Sequence, residues 1–282
     1  DDDLILYEKA GIDQETPAST TKLMTALTVL KYCDPTEKLT TGEEITRISD
    51  QASNASLKEG TTGTVETFLG AMLIPSGNDA AYALATYTGR KILGKDSASV
   101  DEALQAFLAA ELNLENSNFL TPDGDQADGQ YSCARDMIRI ARECLKNDTI
   151  RKLCGAKSYR GLFDNLDLTY KNTNELIQPS SECYYEGAIG MKTGSFNDVK
   201  CLVAAAEIDG KTYTIGGAAN EEKLVFANGA DLATYLKKNG YDLITKATGA
   251  SANDFATGTI LVKTGEGGLS LQIGATGDEE NK

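Results

Sequence analysis

The chain has 282 residues, 41% of them hydrophobic and 24% charged, which is ordinary composition for a folded protein and leaves core-building capacity to spare. Its net charge of −15 makes phosphate backbones and anionic membrane surfaces poor partners, so nucleic-acid binding is not expected. Histidine is absent altogether. That excludes a Ser-His-Asp triad, a Cys-His dyad and every histidine-ligated metal site, and any proton transfer must run through lysine, carboxylate, tyrosine, thiol or hydroxyl.

Leu4-Ile5-Leu6-Tyr7-Glu8-Lys9 is a short β candidate closed by Gly11. After Pro17, apolar Leu23, Ala26, Leu27 and Leu30 recur at helical spacing, and proline suits the entrance of a helix. Residues 40–65 are polar and rich in Thr, Ser and Gly, and read as loop with short elements. Phe68, Leu69, Met72 and Leu73 mark a second helix that Pro75 stops. Asn78-Asp79 reads as the cap of a third, alanine-rich helix through Ala80, Ala81, Leu84 and Ala85. Further helical patterns cover about 98–112 and 134–146, the latter with Ser132 placed to cap it. Residues 116–131 form a long loop with several turn signals.

Past residue 185 the character changes. Val199 to Ala206 and Thr212 to Gly216 read as two strands joined at Asp209-Gly210, and 221–238 returns to helix. The order predicts an α+β fold: an antiparallel sheet flanked by helices, with an all-helical lobe inserted at roughly 50–180. Residues 244–282 are a Gly/Thr-rich tail, read as a hairpin or the start of a truncated second domain. No apolar run approaches the roughly 18 to 20 residues that span a bilayer, and the start at Asp1-Asp2-Asp3 suits a chain trimmed of a leader. The six cysteines, at 33, 133, 144, 154, 183 and 201, show no CxxC pair, so buried or scattered thiols are favoured over disulfides, and no metal site is expected.

Ser19-Thr20-Thr21-Lys22 is an SxxK, which on a helix sets hydroxyl and amine on one face. Serine needs a base to become a nucleophile, and without histidine a lysine of lowered pKa must serve. Alone the tetrapeptide is weak, since about one arises by chance in a chain this long. Ser76-Gly77-Asn78 adds an SxN, and Lys192-Thr193-Gly194 a KTG. Second copies exist at Ser251-Ala252-Asn253 and Lys263-Thr264-Gly265, but the nine residues between them leave no room for a helical lobe. The early copies are preferred.

This trio is the motif set of penicillin-binding proteins and class A β-lactamases, here with Gly77 where the set usually has Asp. With PASTTKLMTALTVL, IPSGNDAAYALA, GMKTGSF and CLVAAAEIDGK, and with NFLTPDG, YSCARDMIRIA and KNTNELI between them, the chain resembles the serine D-alanyl-D-alanine carboxypeptidases over about 1–243. The resemblance implies the penicillin-binding-protein fold, a catalytic domain at 1–243, and removal of the terminal D-Ala from peptidoglycan stem peptides through an acyl-enzyme. It also implies inhibition by β-lactams, no cofactor, and a place in the bacterial envelope outside the cytoplasm, with membrane contact only through an anchor that this chain lacks.

By the same resemblance Ser19 is the nucleophile, Lys22 its base, and Ser76 the relay to the departing amine. Asn78 holds Lys22 and the substrate amide. Lys192 supplies positive field that helps lower Lys22, and Thr193 with Lys192 receives the terminal carboxylate. Gly194 and Ser195 belong to the substrate-binding strand, and the N–H groups of Ser19 and Ser195 make the oxyanion hole. Relatives often place an Arg before the final helix; Asn220 to Phe226 has none, so either Lys223 substitutes or the role is absent. The alternatives are a serine β-lactamase, which needs a deacylating Glu that Glu111-Leu112-Asn113-Leu114 does not reproduce, and a β-lactam sensor without turnover.

Overall fold

Helix formation around residue 19 begins before the apolar stripe does. A computed structural model describes residues 10–125, 127–197, 199–208 and 211–219, together with short strands at 263–265 and 268–270. Ala18–Thr21 form one 3-10 turn that leads directly into α1, Lys22–Tyr32. Leu23, Met24, Ala26 and Val29 of α1 are fully buried, and so are Thr25 and Thr28 on its other side. A helix enclosed on nearly all faces must satisfy its polar groups internally, and Thr25 Oγ1 donates to the Pro122 carbonyl at 2.5 Å.

The remaining helices surround α1. α2, Val65–Leu73, is capped by Thr64, whose side chain accepts from Thr67 N, and ends before Pro75. α3, Asn78–Leu93, closes at Gly94 in the left-handed conformation. Its N-cap is Gly77, one residue before the Asn78 cap read from sequence. The difference arises because Asp79 turns its carboxylate to the preceding loop, taking Ala55 N at 2.8 Å and Leu57 N at 3.0 Å. α4, Val100–Ala109, starts with a capping box between Ser99 and Glu102. α5, Ala134–Leu145, is capped by the Cys133 sulfur and not by Ser132, whose hydroxyl pairs with Ser117 instead.

Four strands and a helix had no clear signal in the sequence. β1, Lys38–Thr40, pairs with β2, Thr62–Thr64. α6, Asp148–Gly155, follows α5 after a two-residue break capped by Asn147. β3, Ser158–Leu162, and β4, Asp167–Lys171, form an antiparallel ribbon. The inserted lobe is thus helical in bulk but carries ribbons that an all-helical reading leaves out.

β5, Ala188–Phe196, β6, Val199–Ile208, and β7, Lys211–Ala219, make a three-stranded antiparallel meander in that order. The predicted hairpin is its second half. α5 and α6 lie against the sheet, and the Ala18–Thr21 turn lies against β5. The strand predicted at 4–9 and the helix at 221–238 lie outside the described residues. Among the described residues, the second KTG forms β8, Lys263–Gly265, which pairs with β9, Gly268–Ser270, and not with the meander.

All six cysteines are buried, and none of them forms a disulfide. Native protein should therefore react slowly with a thiol reagent, and all six should titrate in guanidinium without reductant. Fewer than six would reveal a disulfide. Reductant should leave Tm unchanged.

Candidate active site

The sheet edge and the helical lobe meet at a cleft of about 550 Å³. Ser19, Ser76, Asn78, Thr193, Gly194 and Ser195 all line it. Lys22 and Lys192 sit beneath its floor, 0% and 1% exposed. All eight residues singled out in the sequence are therefore in one place, although they come from three separate stretches of chain.

Local geometry explains the short spacings. The Ser19 hydroxyl and the Lys22 amine share one face of a single helical turn, and Lys22 Nζ lies 2.8 Å from Ser19 Oγ. Ser19 stands at the helix entrance, where the positive end of the helix dipole favours developing negative charge. The residue before it, Ala18, has φ +46°, and Ser76 has φ +69°. Left-handed backbone at such residues is costly and persists where surrounding structure holds it.

Lys22 Nζ has two further partners, Asn78 Oδ1 at 2.7 Å and the Asp123 carbonyl at 2.7 Å. Burial lowers its pKa from 10.5 to about 8, against the opposing pull of Asp123, Asp125 and Asp79, whose negative charges raise it. At pH 7 roughly a tenth of the molecules then carry the neutral amine, against fewer than one in a thousand for an ordinary lysine. Asn78 and Asp123 offer oxygens that only accept. When Lys22 is neutral its two protons go to them, and its lone pair is left facing the Ser19 hydroxyl.

Lys192 Nζ lies 3.0 Å from Ser76 Oγ and 2.8 Å from its neighbour's carbonyl at Thr193. Burial, and after it the charge of Lys22, hold its pKa well below the usual lysine value. Burial is the largest cause of the lowering at both amines, and at Lys192 the charge of Lys22 adds to it.

Two glycines permit the close approach. A Cβ on Gly194 would stand 3.1 Å from the backbone nitrogens of Ser19 and Thr20, so a side chain there would push β5 and the serine turn apart by a few tenths of an ångström. Gly124, at φ +83°, turns the Asp123 carbonyl toward Lys22, and a Cβ on it would collide with the Ala18 carbonyl.

Sequence reasoning missed Asp123, Gly124 and Thr173. Pro122-Asp123-Gly124 was visible as a turn, but nothing in a side-chain pattern marks a backbone carbonyl as a ligand. Asp125 is the carboxylate among the described lining residues. Glu111 is not among them, and burial pushes its carboxyl pKa well up. No group of three or more metal-ligating side chains occurs among the described residues.

A profile of the D-alanyl-D-alanine carboxypeptidase family matches residues 2–215. The chain belongs to that family. A D-alanyl-D-alanine carboxypeptidase of Streptomyces sp. (strain K15) is 36% identical over 225 residues, covering 73% of each chain. D-alanyl-D-alanine carboxypeptidase DacF of Bacillus subtilis is 34% identical over 212 residues, 72% of this chain and 51% of that one, so this chain spans about half its length. A crystal structure of the Streptomyces DD-transpeptidase superposes with a TM-score of 0.66 at 34% identity, covering 76% of this chain and 84% of the other. The fold is therefore that of the penicillin-binding DD-peptidases.

The glycine in the KTG is the most direct probe of the geometry. Gly194→Ala should slow penicillin acylation tenfold or more, about 1.4 kcal/mol of barrier, while Tm falls by only a few degrees. Acylation at the parental rate would show that β5 does not need this approach.

Proposed function

We propose that this site cleaves the terminal D-Ala from peptidoglycan stem peptides ending in D-Ala-D-Ala, with Ser19 as nucleophile and Lys22 as its base. The observation that carries this reading is the 2.8 Å contact between Ser19 Oγ and a fully buried lysine of lowered pKa. Neutral Lys22 accepts the Ser19 proton as Oγ bonds to the penultimate D-Ala carbonyl carbon. The carbonyl oxygen becomes an oxyanion, met by the N–H groups of Ser19 and Ser195. The C–N bond then breaks as the proton taken up by Lys22 passes through Ser76, which Lys192 orients, to the departing amine, and Lys22 is neutral again. Water hydrolyses the ester, releases the shortened peptide and restores the Ser19 hydroxyl.

Asn78 serves twice, as an acceptor for Lys22 and as a group that the substrate amide can meet across the cleft. Thr193 receives the terminal carboxylate over the buried charge of Lys192. β-Lactams occupy the same site as substrate mimics. The substrate places the protein on the outer side of the cytoplasmic membrane. No helix among the described residues is long and apolar enough to cross a membrane. We assign catalysis to 1–243, because all three motifs and the meander precede the tail at 244–282.

Deacylation separates this reading from a β-lactamase. Penicilloyl ester hydrolysis needs a water activated on a face that the retained thiazolidine remnant covers, whereas D-Ala diffuses away. Glu111 is not positioned to supply a base. We expect an intact-mass adduct with benzylpenicillin that persists for hours, alongside D-alanine release from a pentapeptide and no adduct on Ser19→Ala. A hundredfold slower deacylation of penicillin than of peptide corresponds to about 2.7 kcal/mol. An adduct that vanishes in seconds while nitrocefin turns over would make this a β-lactamase, and labelling of Ser19→Ala would sink the site assignment.

A further inference from the structure

Thr173 takes no part in the steps above, yet it stands in the cleft wall with its Oγ1 2.8 Å from Thr193 Oγ1. Its position is built rather than incidental. The asparagines on either side, Asn172 and Asn174, are buried at 3% and 1% exposure. Asn172 Nδ2 donates to the Ala156 carbonyl at 2.9 Å, and its Oδ1 accepts Asn174 N at 2.8 Å. Asn174 Oδ1 accepts Leu176 N at 3.1 Å. Thr173 N donates to the carbonyl of Ile74, two residues before Ser76. The segment is thus pinned to the lobe beside the relay serine, while its side chain reaches the strand that carries Thr193. A β-branched side chain on so fixed a backbone has little rotamer freedom left to lose.

Two hydroxyls at this distance share one proton between them. Each has a single O–H, so the second proton remains available to the cleft. A carboxylate has only acceptors, on two oxygens, and accepts one hydrogen bond from each hydroxyl of such a pair when the bond between the two hydroxyls is exchanged for it. Among the described residues lining the cleft the one ionisable side chain is Asp125, and beneath the fork the Lys192 amine is bonded to the Thr193 carbonyl. Resting on the DD-carboxypeptidase reading above, we propose that Thr173 is a substrate-binding residue that forms, with Thr193, a two-hydroxyl fork for the terminal carboxylate of the substrate.

The test compares benzylpenicillin with its methyl ester, which lacks the carboxylate, by second-order acylation rates from intact-protein mass. Thr173→Val keeps shape and removes the hydroxyl. It should slow acylation by the free acid about tenfold, the loss of one charge-assisted hydrogen bond, and leave the ester rate within about twofold. Thr173→Ser should restore the parental acid rate. Acid and ester slowing together, or neither slowing, would overturn the assignment while Ser19 remains the labelled residue. Acylation of Ser19→Ala by either compound would instead defeat the nucleophile assignment on which the fork rests.

Discussion

A lysine amine with no exposure to water, held by three oxygens, is the constraint on which the rest of the site depends. Burying an ammonium is unfavourable unless its donors are met, and Lys22 meets all three with Ser19 Oγ, Asn78 Oδ1 and the Asp123 carbonyl. The same burial disfavours the charged form, which is what makes an amine usable as a base near neutral pH. The acidic groups around it work the other way and keep the shift moderate. Structure and reactivity here are one balance between desolvation and hydrogen bonding.

Each partner of Lys22 comes from a different part of the fold, and this explains features that look unrelated in isolation. α1 is enclosed by helices because its first residue must be dry. The Gly77 cap starts α3 one residue early, which brings Asn78 into the helix's first turn beside Lys22, while Asp79 ties the preceding loop with hydrogen bonds to Ala55 and Leu57. The left-handed glycine at 124 presents a carbonyl that a side chain would push away. On the sheet side, Gly194 lets β5 approach the serine turn, and Lys192 reaches under it to Ser76. The second buried amine raises the electrostatic cost of protonating either.

Much of this was legible in the sequence, for physical reasons that can be named. α1 to α5 announce themselves through helical periodicity, Pro75 and the capping residues, and the SxxK, SxN and KTG stretches mark side chains that meet in the cleft. α6 escaped notice because eight residues with only Ile150, Leu153 and Cys154 buried give too short a period. The β3–β4 ribbon alternates weakly, since both of its strands are largely exposed. The caps of α3 and α5 moved by one residue, because Asp79 and Ser132 found partners elsewhere. Backbone ligands such as the Asp123 carbonyl, and a hydroxyl such as Thr173 Oγ1 that meets its partner across twenty residues, have no pattern of their own.

The central claim, that burial turns Lys22 into a base near neutrality, is open to direct measurement. Lysine Cε resonances of protein labelled with carbon-13 can be followed from pH 6 to pH 11, with Lys22→Ala supplying the assignment, since alanine is well tolerated within a helix. The account predicts one resonance, absent from that variant, that titrates with a midpoint near 8 and moves in step with the rise in penicillin acylation as Lys22 loses its proton. A Lys22 resonance that titrates only above pH 10, with acylation already complete below it, would contradict the account.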